Sequence, residues 1–187
     1  MRARTLPPTW SVALACLLLT GCSSEEPTDS PTPRHRAQCV VSDPQGEVIL
    51  HSGSLTARAG LTLDDATLEE AVNLDVVERA VVQFTGRAGV QGIVLDYPPL
   101  KTAGLADSLA RWEDRRALPG LTLGPDDGQQ AVLVAVRLHD PATPGHLVGV
   151  RLTTDAGVRV YAQPVLVKPP GEICTVADYD GTLDWVP

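Results

Sequence analysis

The sequence predicts a mainly β protein, a β-sandwich with one short helix. Three observations carry that expectation. The apolar runs are short and alternate with a period of two, β-branched residues fill them, and clusters of Pro, Gly and Asp separate them. The chain has 187 residues, of which 43% are hydrophobic and 4% aromatic, with a formal net charge of −8. That length allows one or at most two small domains. The apolar share excludes wholesale disorder. The acidic balance argues against nucleic acid, whose phosphates demand clustered Lys and Arg.

The expected elements follow in chain order. Ser42-Asp43-Pro44 is a turn, and Glu47–Leu50 and Leu55–Ala57 are short strands. Thr67–Phe84 fits two periods. Leu74, Val77, Val81 and Phe84 make a helical stripe, with Thr67 and Glu70 as a capping box. Leu74, Val76, Ala80, Val82 and Phe84 make a strand face broken only by Glu78. The Val and Phe content favours the strand. Gln91–Asp96 is a further strand, ended by Tyr97-Pro98-Pro99. Leu105, Leu109 and Trp112 lie at i, i+4 and i+7, so Leu105–Trp112 is the one short helix.

Beyond the Gly124-to-Gly128 turn, Ala131–Leu138 puts Val132, Val134, Val136 and Leu138 on one face. Leu147–Thr153 alternates Val148, Val150 and Leu152 with Gly149, Arg151 and Thr153. Asp155-Ala156-Gly157 turns the chain into Val158, Val160 and Ala162, an antiparallel hairpin. Pro164 then marks an edge or a bulge before Val165 and Val167. Seven or so short strands with Pro-rich turns resemble a sandwich of the immunoglobulin-like kind. The likeness is architectural, because no Cys pair brackets a central Trp. Trp112 and Trp185 are expected as core or edge plugs.

The first 22 residues carry an address. Arg2 and Arg4 precede an apolar run, Ser11 to Leu19, too short to span ~30 Å of hydrocarbon. It fits the apolar region of a signal peptide. Leu19-Thr20-Gly21-Cys22 follows at once. These residues resemble the lipobox of bacterial lipoproteins: Leu, a small residue, Gly or Ala, then Cys. The resemblance covers residues 1–22. It implies a diacylglyceryl group on the Cys22 thiol, cleavage of residues 1–21, and a new, fatty-acylated (palmitate-type) N-terminus. Two or three acyl chains anchor stably at ~0.8 kcal/mol per methylene. The expected location is the extracytoplasmic face of the cell membrane. Residues 22–38 are then the lipidated Cys and a disordered, Pro-containing tether reaching on the order of 50 Å. Residues 39–187 form the domain. Cleavage removes Arg2 and Arg4 and no acid, leaving 13 basic against 23 acidic residues, a net charge of −10. A polybasic second membrane signal is therefore absent.

Cys39 and Cys174 remain, one at each end of the domain. An export signal favours a disulfide between them. It would close nearly the whole domain, worth about 5 kcal/mol in the chain-entropy model. Unlinked thiols or a metal pair are the alternatives, and neither Cys has the CxxC partner a metal pair wants.

No catalytic constellation stands out. There is no G-x-S-x-G, and His51 and Ser52 are neighbours that point to opposite faces of a strand, or lie in a surface turn. His139 and His146, with Asp140, flank a Pro-rich loop and are weak metal candidates, as are Asp178, Asp180 and Asp184 around Gly181. Asp64-Asp65 and Asp126-Asp127 are adjacent acids in turns. Tyr97, Tyr161 and Tyr179 would serve only a small sugar platform. Phosphate cradles are missing, so no cofactor is expected. The expected function is a non-catalytic envelope lipoprotein that binds or scaffolds an envelope protein or glycan through loops or an edge strand. The alternative is a lipoprotein that binds a small ligand or a metal ion.

Overall fold

The computed structural model describes residues 37–56, 60–83, 92–94, 97 and 112–179. Among these residues ten strands run in chain order: β1 (Gln38–Val41), β2 (Glu47–Thr56), β3 (Thr62–Glu69), β4 (Leu74–Gln83), β5 (Gly92–Val94), β6 (Arg116–Ala117), β7 (Leu121–Thr122), β8 (Gln129–Leu138), β9 (Gly145–Thr154) and β10 (Gly157–Lys168). They form two five-stranded sheets, ordered β1-β10-β9-β3-β7 and β5-β2-β8-β4-β6. Every pairing is antiparallel except β1 with β10. The protein is mainly β, two sheets face to face. Trp112–Asp114 and Val176–Asp178 are single 3-10 turns. The expected helix Leu105–Trp112 lies outside the described residues except for Trp112. No helix among the described residues is long and apolar enough to cross a membrane.

The core lies between the sheets. Val48, Leu50 and Leu55 of β2, Val81 of β4 and Val132, Val134, Val136 and Leu138 of β8 meet Leu63 and Ala66 of β3, Leu147, Val150 and Leu152 of β9 and Val165 and Val167 of β10. Each is at most 4% exposed, so each fully buried Val or Leu contributes about 1.5–3 kcal/mol. A second cluster, Ile49, Val82, Ala131, Leu133 and Ala135, occupies the far face of the β2–β8–β4 sheet, where Tyr97 packs on it. That sheet is apolar on both faces, which explains the continuous apolar run of β8.

Several expectations need correction, and β-bulges are the usual cause. Glu47–Leu50 and the strand begun at Leu55 are one strand, β2, interrupted by a register shift between His51 and Gly53. Thr67–Phe84 is not one strand. It divides at residues 70–73, where Glu70 and Asn73 take φ of 47° and 55° and the chain crosses from one sheet to the other. Within β4 the register slips between Val76 and Glu78. The extra residue reverses the alternation, so Leu74, Val76 and Val81 face the core while Val82 faces away. In β9, Leu147 takes the core position assigned to Val148. Pro164 sits in a bulge, as its missing N–H predicts, with the register shifting between Ala162 and Val165. Tyr161, Val165 and Val167 lie on the core side while Val158 and Val160 point outward, the parity that plain alternation gives along β10. The hairpin itself, Thr154 opposite Gly157 across a two-residue loop, is as expected.

Candidate binding surface

The Cys39–Cys174 disulfide is formed, with the two Cα atoms 5.8 Å apart. It ties β1 to the segment after β10. That segment is held again at Lys168, whose Nζ donates to the Ile173 carbonyl (3.1 Å) and pairs with Asp178 (3.0 Å). Asp178 also accepts the Thr175 N–H and hydroxyl. The Thr175 amide, Lys168 and the Thr175 hydroxyl together hold the Asp178 carboxyl down at about 2. Asp178 is thus occupied as a capping anchor. Asp180 and Asp184 lie outside the described residues, as do Cys22 and Trp185, and only the backbone of Trp112 is described.

The histidine loop is built around a different residue. Asn73 Nδ2 donates to the carbonyls of Asp140 (3.0 Å) and Thr143 (2.6 Å), and its Oδ1 accepts the Asp140 N–H (2.8 Å). Asp140 is absorbed within the loop, accepting the Ala142 N–H and the Thr143 hydroxyl, and these bonds pull its carboxyl below the usual range. His139 bonds Asp75 (2.9 Å), while His146 pairs within the sheet with Leu166 and Val72. Desolvation lowers the His146 pKa. Among the described residues no group of three or more His, Cys, Asp or Glu is placed to hold a metal ion.

His51 and Ser52 are not in a surface turn. Both are buried in β2 at its bulge. Desolvation lowers the His51 pKa, partly offset by a bond to the Gly53 backbone. The adjacent acids serve turns and edges: Asp127 accepts the Gly124 N–H and pairs with Arg116 (3.0 Å), and Asp65 pairs with Arg79 (3.0 Å). Arg116, Asp114, Asp126, Asp127, Gln83 and Gln130 line an open polar cleft of about 280 Å³. Arg116 and Asp127 neutralise each other there, and Gln130 bonds both of them, so the cleft's polar groups are largely matched internally.

The open surface lies elsewhere. Directly paired residues share a sheet face. Val72, His146, Leu166 and Cys39 form one row across the outer face of the β10–β9–β3 sheet, and Val158 with Thr153 and Val160 with Arg151 form others. The disulfide and Lys168 hold Ile173, Val176 and Tyr179 on the same side. Among the described residues seven large apolar side chains are exposed, and six of them are Val72, Val158, Val160, Ile173, Val176 and Tyr179. Val158 and Val160 lie at the hairpin end of β10, and Ile173, Val176 and Tyr179 lie toward its other end beside Lys168 and Cys39. Sequence reasoning missed this face because it carried the alternation of Val158 and Val160 on into Val165 and Val167, which the structure places on the core side. The chain matches no protein-family model, no curated protein and no solved structure.

Proposed function

We propose that this is a lipid-anchored protein of the extracytoplasmic face that works by non-catalytic binding or scaffolding. The observation that carries the binding half is the exposure of Val158 and Val160 on the outer face of β10 and of Ile173, Val176 and Tyr179 in the segment that follows it. The address half rests on Leu19-Thr20-Gly21-Cys22 after an apolar run. The Cys39–Cys174 bridge supports it independently, since structural disulfides persist in oxidising compartments. The partner class is an envelope protein or glycan. The strand order supports an immunoglobulin-like reading of the sandwich. β2-β8-β4 against β10-β9-β3 matches the B-E-D and G-F-C order of that architecture, with the bridge placed differently.

Two experiments test this. A Cys22→Ser chain should leave the membrane fraction; retention there overturns the anchor. A photo-crosslinking residue at Val176 in intact envelopes should capture a specific adduct, while one at Arg137 on the opposite sheet should capture none. Equal or absent adducts at both positions overturn the binding face.

A further inference from the structure

We propose that the free edge of β10 is a self-association site, where a second copy of this chain adds its own β10 antiparallel about Val160. The hairpin geometry assigns the groups involved. Thr154 and Gly157 close a two-residue loop, and such a closing pair exchanges both main-chain bonds. Alternation along the ladder then turns the N–H and C=O groups of Gly157, Arg159 and Tyr161 toward β9. Those of Val158, Val160 and Ala162 are aimed at the opposite edge. No described residue pairs with that edge, because β1 begins only at Gln38, opposite Val165. Residues 157–160 are all exposed.

The contrast with β3 is instructive. Beyond its two pairs with β7, the edge of β3 has no strand partner among the described residues, and there side chains block it: Arg79 Nε donates to the Ala66 carbonyl (2.6 Å), and Asp65 accepts the Ala66 N–H (2.8 Å). Blocking by inward charges is how native sheets guard an edge. Among the described residues none guards β10 from Gly157 to Ala162 in this way, and that stretch has no Pro and one charge, Arg159.

Three features select a second copy as the occupant. The slot is bounded by the hairpin turn and by Pro164 with the start of β1, leaving room for a strand of about five residues. That is the length of β10's own free stretch. A two-fold about Val160 sets Val160 opposite itself and Val158 opposite Ala162 of the second copy, so all three edge-facing residues meet their counterparts as bonded pairs. It also places Arg159 against Tyr161. Centring on Arg159 would juxtapose two guanidinium groups, and centring on Tyr161 would set Val158 against Pro164, which has no N–H. The valines and Ala162 of both copies then form one apolar strip across a continuous sheet. The contact is smaller than a standard interface of about 1,600 Å². It is therefore weak between freely diffusing copies, and stronger when both are held in one bilayer plane. That strengthening rests on the lipid-anchor reading.

The test uses the full-length chain in its own membrane, with Val160→Cys and mild oxidation. Paired Cα atoms about 5.5 Å apart lie within disulfide reach. Two copies of residue 158 would be offset by roughly 13 Å along the strand. A covalent dimer should form at least tenfold more with Val160→Cys than with Val158→Cys, which carries the same added thiol. Adding Val158→Pro to the Val160→Cys chain should suppress the dimer without lowering the melting temperature of the monomer. Equal crosslinking at both positions, or none, overturns the edge pairing. Fractionation of the same samples keeps the two readings apart. A position-specific dimer in the soluble fraction supports the pairing and overturns the anchor, while an anchored chain with no dimer overturns the pairing alone.

Discussion

Gly53 cannot be another residue without cost. Its φ is +134°, and a Cβ built there would lie 2.6 Å from the Tyr161 ring. Gly53→Ala therefore combines backbone strain with a clash in the core, and should destabilise by about 2–4 kcal/mol, read as a lower urea midpoint at unchanged m. Next to it, His51 is buried and its pKa is lowered by desolvation; His146 shifts the same way. The unfolded chain takes up these protons first. Stability should therefore be complete above pH ~6.5 and decline as pH falls toward the folded-state values. Asp178, held at about 2, adds a second decline below pH ~4, with Glu69, Asp127 and Asp140 lowered in the same direction. Urea midpoints taken from pH 8 to 2 should show both; a flat profile between pH 7 and 5 excludes the histidine contribution.

At the scale of elements, the corner between β3 and β4 decides the topology. Asn73 takes φ of 55°, a conformation Asn tolerates better than most residues, and its side chain ties that corner to the loop between β8 and β9. Asn73→Ala should cost about 2–3 kcal/mol, through the left-handed φ and the lost bonds. Asn73→Gly should recover about 1 kcal/mol of it, because glycine restores the backbone conformation alone. Equal losses in the two variants would mean that strain plays no part. The short sequence span of this corner hid it: Glu70 to Asn73 reads as four ordinary residues within an apolar pattern. β8 was legible because six consecutive residues, Ala131 to Val136, alternate between two apolar faces. β6 and β7, two residues each, carry no periodicity to read.

Across the whole molecule, the Cys39–Cys174 bridge closes a span of 135 residues. Cys174→Ser should lower stability by about 2–5 kcal/mol, less than the chain-entropy limit if the reduced chain keeps residual structure. Thermal melts with and without reductant check this, and the melt of the variant should not change with reductant. The fold class, the hairpin at residues 155–156, the bulge at Pro164 and the pairing of the two cysteines all follow from local chemistry: period-two alternation, a turn sequence, a missing N–H, and two thiols left over in a chain whose first residues resemble an export signal. Which valines reach the core does not follow, because a single inserted residue at residues 51–53 or 76–78 reverses every side chain beyond it. A bulge is stabilised by what lies across the sandwich, such as the Tyr161 ring on Gly53, and that neighbour is more than 100 residues away in the chain. The outer face of β10, and an edge with no strand partner among the described residues, likewise emerge only once the sheets are assembled.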